Sequence, residues 1–393
     1  MKELLLEIGV EELPAIPFLR ELPNINAKWQ AVLEKYNLVS PFKFYYTPRR
    51  LVFFHEKFPQ SQPDSVASFI GAPKQVALKD GAFTKAALSF ANKCGIDESE
   101  LKFKEIDGKE VLYYEKEVKG EPVAKIMGDM VEEFLKSLNF GKSMRWGNGE
   151  FEFIRPIRSF LCLLGDEVIK FNKFGVDSGD STYPHRSISY DKIKISNIKE
   201  YFEGSKSRGV VLEADEREKI ILDEFEKISQ KSGLKIEIDK DLLAEVVAIT
   251  EYPTALLGSF EEEFLEVPSE VIITSMKENQ RYFPVFKNGK LANGFVVVSN
   301  AITKDYSLII KGNEKVLRAR LSDAMFFWQS DLAHEFGPEK LKNITYLKEL
   351  GSIYEKELRE LQVAKKLASN YDELLKKEAG EYRAKLERAV MLS

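Results

Sequence analysis

The sequence predicts an α+β protein, in which a mixed region of strands and helices precedes a helical region. Short apolar runs with strand character recur in the first half of the chain, for example at residues 4–8. Apolar residues also repeat with helical spacing across residues 127–138. After Gly337 the strand signals almost disappear, which predicts two long helices at residues 347–369 and 372–392.

Turn residues mark where further strands begin. The Thr-Pro-Arg-Arg sequence at residues 47–50 predicts a turn that enters a strand at residues 51–54. The Asp-Gly pair at residues 107–108 is a second turn signal, and it directly precedes a β-rich run at residues 111–118. The apolar run EVVAI at residues 245–249 fits either a helix or a buried strand, because periodicity does not separate the two over so short a length.

Two polar residues are candidate N-caps of helices. Asp215 is expected to cap the helix that carries Ile221 and Phe225. Asn313 is expected to cap a helix whose apolar face extends to Trp328.

The segment MKENQRYFPVFKNGK at residues 276–290 predicts a β-hairpin. Residues 282–286 and 294–299 are rich in aromatic and β-branched side chains. The Asn-Gly pair at residues 288–289 favours the positive φ angles of a tight type I′ turn. Pro284 has no donor N–H, so the hairpin is expected to lie at the edge of its sheet.

The composition is that of an ordinary globular protein of two to three domains. The 393 residues carry a net charge of −5, and 44% of them are hydrophobic. Cys94 and Cys162 allow at most one disulfide, which favours a reducing compartment. The N-terminal residues resemble no secretory signal, and no window has the roughly 20 apolar residues of a membrane helix. We therefore expect a cytoplasmic protein with no membrane partner.

Charge is distributed unevenly along the chain. Residues 213–266 contain sixteen acidic and six basic residues, whereas residues 269–320 contain nine basic and four acidic residues. Such an asymmetry is compatible with a region that faces RNA, and equally with two solvated faces of one domain.

Several kinds of catalytic and cofactor site lack their sequence signatures. His55, His185 and His334 have no partner at zinc-ligand spacing, so no metal site is expected. No glycine-containing segment has the spacing of a phosphate-binding loop, and no nucleophile elbow occurs. The sequence alone therefore presents no catalytic or cofactor signature, and it leaves open a Ser-His-Asp or Cys-His arrangement of distant residues.

Arginines that neighbour aromatic residues or proline recur instead. Guanidinium groups suit phosphates, and aromatic faces suit unpaired bases. The structural alternative for each arginine is an ion pair with a carboxylate, with its stem packed on a ring. The candidate RNA or cleft contacts in these motifs, with their polar neighbours, are Arg49, Arg50, Arg145, Trp146, Arg155, His185, Arg186, Lys277, Gln280, Arg281 and Arg318.

Long motifs in a fixed order resemble the beta subunits of bacterial heterotetrameric glycyl-tRNA synthetases. The resemblance covers nearly the whole chain, from its N-terminus to the helical region. The motifs are LLLEIGVEELPA, YTPRRL, KSMRWG, FIRPIR, YPHR, EYPTALLGSFEEEFLEVPSEV, MKENQRYFPVF and GNEKVLRARLSDAMFFWQSD.

The resemblance implies a division of labour between two kinds of subunit. The alpha subunit would carry catalysis, with ATP and magnesium used by the holoenzyme and no cofactor on this chain. The beta subunit would bind tRNA(Gly) and the alpha subunit, in an assembly of two alpha and two beta chains. The alternatives from the sequence are an editing hydrolase of misacylated tRNA and a pure assembly scaffold.

The resemblance also implies a domain organisation. Residues 1–335 would form an α+β region, of one or two subdomains, similar to a module of phenylalanyl-tRNA synthetase beta chains. Residues 336–393 would begin an all-helical domain related to HD phosphohydrolases, here truncated. The chain is accordingly expected to be an N-terminal fragment that lacks the anticodon-binding domain of the family.

Overall fold

A computed structural model describes residues 1–79, 81–334, 337–375 and 379–393. The chain divides into two units, one made of residues 1–258 and 281–311 and the other of residues 259–280 and 312–393. The predicted boundary between residues 335 and 336 falls on residues outside the described ranges, and it stays a prediction. Both units contain helices and strands, so the mixed α and β class is confirmed.

The strands of the first unit are distributed over several sheets. In chain order they are β1 (Lys2–Val10), β2 (Lys43–Thr47), β3 (Arg50–Phe58), β4 (Ser65–Pro73), β5 (Leu78–Lys79), β6 (Ala82–Phe83), β7 (Lys102–Ile106), β8 (Lys109–Val118), β9 (Met144–Arg145), β10 (Glu152–Phe153), β11 (Ile157–Leu164), β12 (Glu167–Val168), β13 (Asn172–Lys173), β14 (Val176–Gly179), β15 (Ser181–Thr182), β16 (Ile193–Lys194), β17 (Lys235–Ile236), β18 (Thr254–Ser259), β19 (Phe283–Lys287) and β20 (Lys290–Ser299).

Helices cover these sheets. In the first unit they are α1 (Ala15–Lys35), α2 (Lys74–Ala77), α3 (Lys85–Cys94), α4 (Val123–Ser137), α5 (Ile198–Glu203), α6 (Ala214–Ser232) and α7 (Lys240–Ile249). The α-helices and strands further along the chain are α8 (Ser269–Thr274), α9 (Ser307–Ala333), β21 (Thr345–Leu347), β22 (Gly351–Ser352), α10 (Ile353–Ala368), α11 (Asp372–Leu375) and α12 (Ala379–Met391).

The central sheet has seven strands, and six of them follow the order β13-β14-β11-β1-β3-β2, with β12 paired to β11. The apolar run of β1 is buried on both faces. Leu4 and Leu6 pack into the cluster that contains Trp29, whereas Leu5 points to the opposite side and packs with Tyr201. Alternate residues of a strand face opposite sides, so the even and odd positions of β1 join two separate clusters. Full burial of one large apolar side chain contributes roughly 1.5–3 kcal/mol.

The predicted hairpin is confirmed, but its position at a sheet edge is wrong. Asn288 and Gly289 have φ angles of 53° and 78° between β19 and β20. The sheet order is β17-β19-β20-β18, so β19 has a neighbour on each side. Pro284 is accommodated because the contact with the β17 side uses its carbonyl, which accepts the Glu237 N–H at 3.1 Å. Glu237 directly follows β17, which ends at Ile236, so the missing N–H of Pro284 falls where this strand pairing ends.

Both predicted N-caps are wrong, although each helix exists. Helix α6 begins at Ala214, so Asp215 lies inside its first turn. Helix α9 begins at Ser307, six residues before Asn313, and Asp305 accepts the Ser307 N–H at 2.8 Å. An earlier acidic residue therefore provides this hydrogen bond, and Asn313 continues the helix. The ambiguous run at residues 245–249 is helical, within α7.

The region after Gly337 differs from the sequence prediction in two respects. It contains a short antiparallel pair, β21 with β22, where no strand was predicted. The first long helix begins at Ile353 rather than residue 347, because Ser352 and Glu355 form a capping box there. The second predicted helix, 372–392, crosses residues 376–378, which lie outside the described ranges; α11 and α12 lie on either side of them.

Candidate functional site

The first unit contains a buried ion-pair network built around Arg50. The Nε of Arg50 donates to Oε1 of Glu251 at 3.0 Å, and its Nη1 donates to Oε2 of Glu7 at 3.3 Å. The same guanidinium donates to the Thr182 hydroxyl at 3.2 Å and to the Tyr183 carbonyl at 3.1 Å. Two carboxylates and two neutral acceptors thus surround this one buried cation.

Charge pairing keeps this network ionised despite its burial. Burial alone would lower the pKa of Arg50, but the charges of Glu251 and Glu7 outweigh it and raise that pKa. Burial likewise opposes ionisation of Glu251, yet Arg50 and a hydrogen bond from Thr47 hold the pKa of Glu251 below its ordinary value. Arg50 is only 4% exposed, so no face of its guanidinium remains for an RNA phosphate. We therefore assign Arg50 to the folding of this unit.

Arg49 lies beside this network, in the turn between β2 and β3. Its side chain is largely buried, and its Nε has no hydrogen-bond partner among the described residues. Burial lowers the pKa of Arg49, while the charge of Glu251 acts in the opposite direction. Arg49 thus adds a second positive charge near the buried carboxylates and has little surface to offer a ligand.

Asn300 connects the end of β20 to the same network. Its Oδ1 accepts the N–H of Glu251 at 2.7 Å and the N–H of Tyr252 at 3.1 Å. Nε2 of His185 lies 3.3 Å from this oxygen, and Nδ1 of His185 accepts the Ser187 N–H at 3.1 Å. Because Nδ1 accepts, the proton of the neutral ring lies on Nε2 and is donated to Asn300. Burial lowers the pKa of His185, which favours this neutral form.

A cleft of about 620 Å³ opens beside these two residues. We call it the His185 cleft. Its polar wall contains His185, Arg186, Arg281 and Asn300, and Glu12 lies at the same surface. The apolar part of the lining is formed by Pro14, Ala15, Ile16, Pro17, Ile249 and Ala301.

The two arginines of the His185 cleft are each held by a carboxylate. Arg186 pairs with Glu12 at 3.1 Å, and the Nε of Arg281 donates to Glu245 at 3.0 Å. The Arg281 backbone has a φ of 57°, a left-handed conformation that costs a non-glycine residue about 1–2 kcal/mol. The side chains of Arg186 and Arg281 are 39% and 38% exposed, so both can meet a ligand from solvent.

Three further candidates of the first unit lie outside this lining. Arg155 is half-buried, and its Nε donates to the Glu12 carbonyl at 3.1 Å. Arg145 is exposed on the β9–β10 hairpin and pairs with Glu152 at 2.7 Å. Trp146 follows it in the chain and is half-buried.

The remaining candidates belong to the second unit. Lys277 and Gln280 are half-buried in a single π-helical segment, Ser275–Gln280. Arg318 is exposed on α9 and forms an ion pair with Glu261. The structure therefore brings His185, Arg186 and Arg281 together, and it does not gather all the arginine motifs into one surface.

The described ranges hold no group of three His, Cys, Asp or Glu residues arranged to bind a metal ion. Burial raises the pKa of the Cys162 thiol, which disfavours the reactive thiolate. No helix among the described residues is long and apolar enough to cross a bilayer.

Comparison of the sequence with known proteins shows which family the chain belongs to. The model of the glycyl-tRNA synthetase beta subunit matches residues 4–393 of the chain. The chain belongs to this family. The glycine–tRNA ligase beta subunit of Helicobacter pylori strain G27 is 42% identical over 384 residues, which cover 94% of this chain. The beta subunits of Bacillus subtilis strain 168 and Streptococcus mutans are 39% and 37% identical over 372 and 376 residues.

The chain spans about half the length of these beta subunits. The matched part is 94% of this chain and 55% of the Helicobacter pylori protein, 93% and 54% for Bacillus subtilis, and 94% and 55% for Streptococcus mutans.

Sequence reasoning missed the residues that hold the candidate arginines of this beta-subunit chain in place. Glu7 looks like one polar position in an apolar strand, and Glu251 like the first residue of a turn. A charged residue inside an apolar strand was the available signal for Glu7, because a buried carboxylate needs a cationic partner. For Asn300 the sequence contains no comparable signal, since its three hydrogen-bond donors come from distant segments.

Proposed function

We propose that this chain serves as a noncatalytic, tRNA-binding part of glycine–tRNA ligase. The observation that carries the proposal is the family match over residues 4–393. In this reading an alpha subunit attaches glycine to tRNA(Gly) with ATP and magnesium, and the beta chain holds the tRNA and the alpha subunit. Two alpha and two beta chains would assemble, in the cytoplasm, where tRNA is used for protein synthesis.

The His185 cleft is the part of the first unit that we propose for contact with tRNA. Its Arg186 and Arg281 are accessible, and guanidinium groups suit the phosphate backbone of RNA. Their carboxylate partners, Glu12 and Glu245, keep them oriented without burying them. His185 supports the wall of this cleft. We do not propose it as the base of an editing hydrolase, because both of its ring nitrogens are engaged within the fold.

The finer fold assignments remain part of the proposal. We propose that the first unit is related to the module of phenylalanyl-tRNA synthetase beta chains. We also propose that the helices after residue 336 begin an HD-like domain. The sequence motifs support both assignments, and a structural comparison with those two domain types would test them.

The proposal is tested with the complete alpha–beta assembly carrying Arg186→Ala and Arg281→Ala together. The affinity for tRNA(Gly) is measured over a range of salt concentrations. Each lost phosphate contact should weaken binding and reduce the slope of log affinity against log salt by about 0.7–1. Arg20→Ala, which removes an exposed arginine of α1 outside the cleft lining, is the matched control.

The result separates tRNA binding from a pure scaffold role. A lower affinity and a smaller salt slope in the double variant, with Arg20→Ala unchanged, support a tRNA contact in the His185 cleft. Unaltered affinity and slope would rule that contact out. Assembly with the alpha subunit is measured on the same samples, so that loss of the complex is not mistaken for loss of an RNA contact.

A further inference from the structure

A second cleft, of about 750 Å³, lies beside the β9–β10 hairpin and is lined by aromatic side chains. We call it the aromatic cleft. Its aromatic lining residues are Phe140, Phe151, Phe153 and Phe174. Trp146 stacks on Phe174, with ring centroids 6.4 Å apart and planes inclined by 13°. The KSMRWG motif thus lies beside a floor of aromatic rings. In the part of the chain that the structure describes, the lining of the His185 cleft contains no Phe, Tyr or Trp.

Phe151 is the accessible ring of this floor. Its side chain is 37% exposed, and its centroid lies 5.9 Å from that of Phe174. Glycines make room for the ring: a Cβ at Gly149 would lie 2.4 Å from a Phe151 ring carbon, and one at Gly175 would lie 3.1 Å away. The ring thus packs against Trp146 and Phe174 and remains partly exposed in the aromatic cleft.

Two exposed cations lie at the aromatic cleft: Lys142 in its lining and Arg145 on the adjacent β9–β10 hairpin. Lys142 lines the cleft, is exposed, and has no ion-pair partner within the described ranges. The side chain of Arg145 is 69% exposed and pairs with Glu152, whose pKa this hydrogen bond lowers. An exposed ion pair of this kind is weak, so a ligand phosphate can compete for Arg145.

The other cations of the cleft are already neutralised, and Glu150 adds an exposed carboxylate to the lining. Lys136 pairs with Glu132 at 2.5 Å, and Lys173 pairs with Asp129 at 2.7 Å and with Glu132 at 2.5 Å. Lys142 and the exposed Arg145 are therefore the cations that a ligand phosphate can meet at this cleft. An uncharged ring fits the aromatic floor.

We propose that the aromatic cleft binds one unpaired nucleotide of an RNA strand. The base stacks on Phe151, and a phosphate of the same strand meets Lys142 and Arg145. This inference rests on the proposed function, because it assumes that the chain handles RNA. Base stacking on aromatic side chains combined with cationic contacts to the backbone is how single-stranded RNA is commonly held.

A protein partner suits the same cleft less well. A single apolar side chain of a partner would contact the rings but would bring no anion to Lys142, whereas one nucleotide brings a ring and a phosphate together. Burial of a charge without an opposite charge beside it is unfavourable. A nucleotide satisfies both the rings and the cation, so the chemistry favours it.

The test uses the complete alpha–beta assembly with Phe151→Ala, Phe151→Tyr and Lys142→Ala. The probes are a fluorescently labelled single-stranded RNA tetranucleotide and AMP, each titrated at constant salt. Loss of one stacked base predicts about five- to a hundredfold weaker RNA binding in Phe151→Ala. Phe151→Tyr keeps an aromatic face and should bind as the parent does. Lys142→Ala should weaken binding and reduce its salt dependence.

Tyr190→Ala is the matched control, since Tyr190 is 77% exposed in the same unit but does not line the aromatic cleft. Weaker binding of RNA alone in Phe151→Ala would assign the cleft to an RNA strand. Weaker binding of AMP as well would mean that a single nucleotide, without the rest of the strand, is sufficient for binding in the cleft. Either result, with Tyr190→Ala unchanged, supports the inference.

Unchanged binding of both probes in Phe151→Ala and Lys142→Ala would overturn the inference. If tRNA affinity then still falls in the Arg186→Ala, Arg281→Ala assembly, the proposed function stands and only the aromatic cleft is excluded. Loss of the alpha subunit in Phe151→Ala with intact RNA affinity would make the cleft a protein-docking surface. That result would also overturn the inference.

Discussion

The Nε of Arg50 donates a hydrogen bond to Oε1 of Glu251 at 3.0 Å, across 201 positions of the chain. The side chains are 5% and 0% exposed. The pair joins β3 of the central sheet to the segment between α7 and β18. Removal of one member of a buried pair leaves the other charge uncompensated, so this contact has a large effect on stability.

Glu251→Gln should destabilise the first unit by up to about 3 kcal/mol at pH 7, less than the roughly 3–5 kcal/mol of a buried charge left with no partner, because Arg50 keeps Glu7 as a carboxylate partner. The pKa of Glu251 is lowered in the folded state. Its ionic stabilisation is therefore complete above the unfolded-state value of about 4.3 and is lost as the pH falls through the lower folded value. Urea unfolding of both proteins between pH 3 and pH 7 measures the difference.

The difference between parent and Glu251→Gln should be constant from pH 5 to pH 7 and should narrow below about pH 4. Glu218→Gln, which changes an exposed carboxylate on α6, serves as the control and should have little effect. A difference that is the same at pH 3 and pH 7 would contradict the assignment of Glu251 as an ionised partner of Arg50.

Local features of this fold were predictable from the sequence, whereas the long-range contacts were not. The Asn288–Gly289 turn is fixed by neighbouring residues, and its positive φ angles follow from residue type. The partner of Arg50 is 201 positions away, and nothing near Arg50 in the sequence specifies it. The prediction that Asn313 is an N-cap is wrong for a different reason. Several polar residues compete for this role, and Asp305 accepts the Ser307 N–H at the observed start of the helix.

The candidate site was predictable in part for the same reason. The arginine motifs identified His185, Arg186 and Arg281, which line one cleft. The sequence did not separate them from Arg50, which belongs to the buried network. Exposure depends on which strands cover a residue, and this is set by sheet order rather than by residue type.

Asn300→Ala should destabilise the first unit by about 1 kcal/mol or more. The substitution removes the acceptor of the Glu251 N–H, and an unsatisfied buried donor costs about 1–3 kcal/mol, whereas the exposed Tyr252 N–H can bind water instead. Asn300→Asp retains an acceptor oxygen at this position and should lose less. Thermal unfolding of the two variants compares them; equal losses would show that these hydrogen bonds do not matter for stability.

Arg281→Gly and Arg281→Ala separate the backbone of this residue from its side chain. Both remove the ion pair with Glu245, but only alanine must keep a Cβ at a φ of 57°. Arg281→Gly should therefore be more stable than Arg281→Ala, by about 1 kcal/mol. Denaturant unfolding provides the measurement. A glycine variant no more stable than the alanine variant would mean that the left-handed conformation carries no strain.

Arg217→Met should be strongly destabilising, although Arg217 forms no ion pair with a carboxylate of the described residues. Its guanidinium donates to the carbonyls of Val211, Leu212 and Val247 and lies over the Tyr46 ring at 5.2 Å. Burial lowers the pKa of Arg217 to about 10, so it stays protonated at neutral pH.

Methionine fills part of the Arg217 volume but leaves these three carbonyls without a donor. We expect a loss of roughly 3 kcal/mol or more in the free energy of unfolding. A loss below about 1 kcal/mol in urea unfolding would contradict this role for Arg217.

The central claim is that this chain binds and positions tRNA while another subunit makes the bonds. Glycine-dependent exchange of pyrophosphate into ATP tests it most directly, with the purified chain alone and after addition of the alpha subunit. The account predicts no exchange with the chain alone. It predicts exchange at the parental rate in the assembly that carries Arg186→Ala and Arg281→Ala, together with weaker tRNA binding. Glycine activation by the isolated chain would contradict the account.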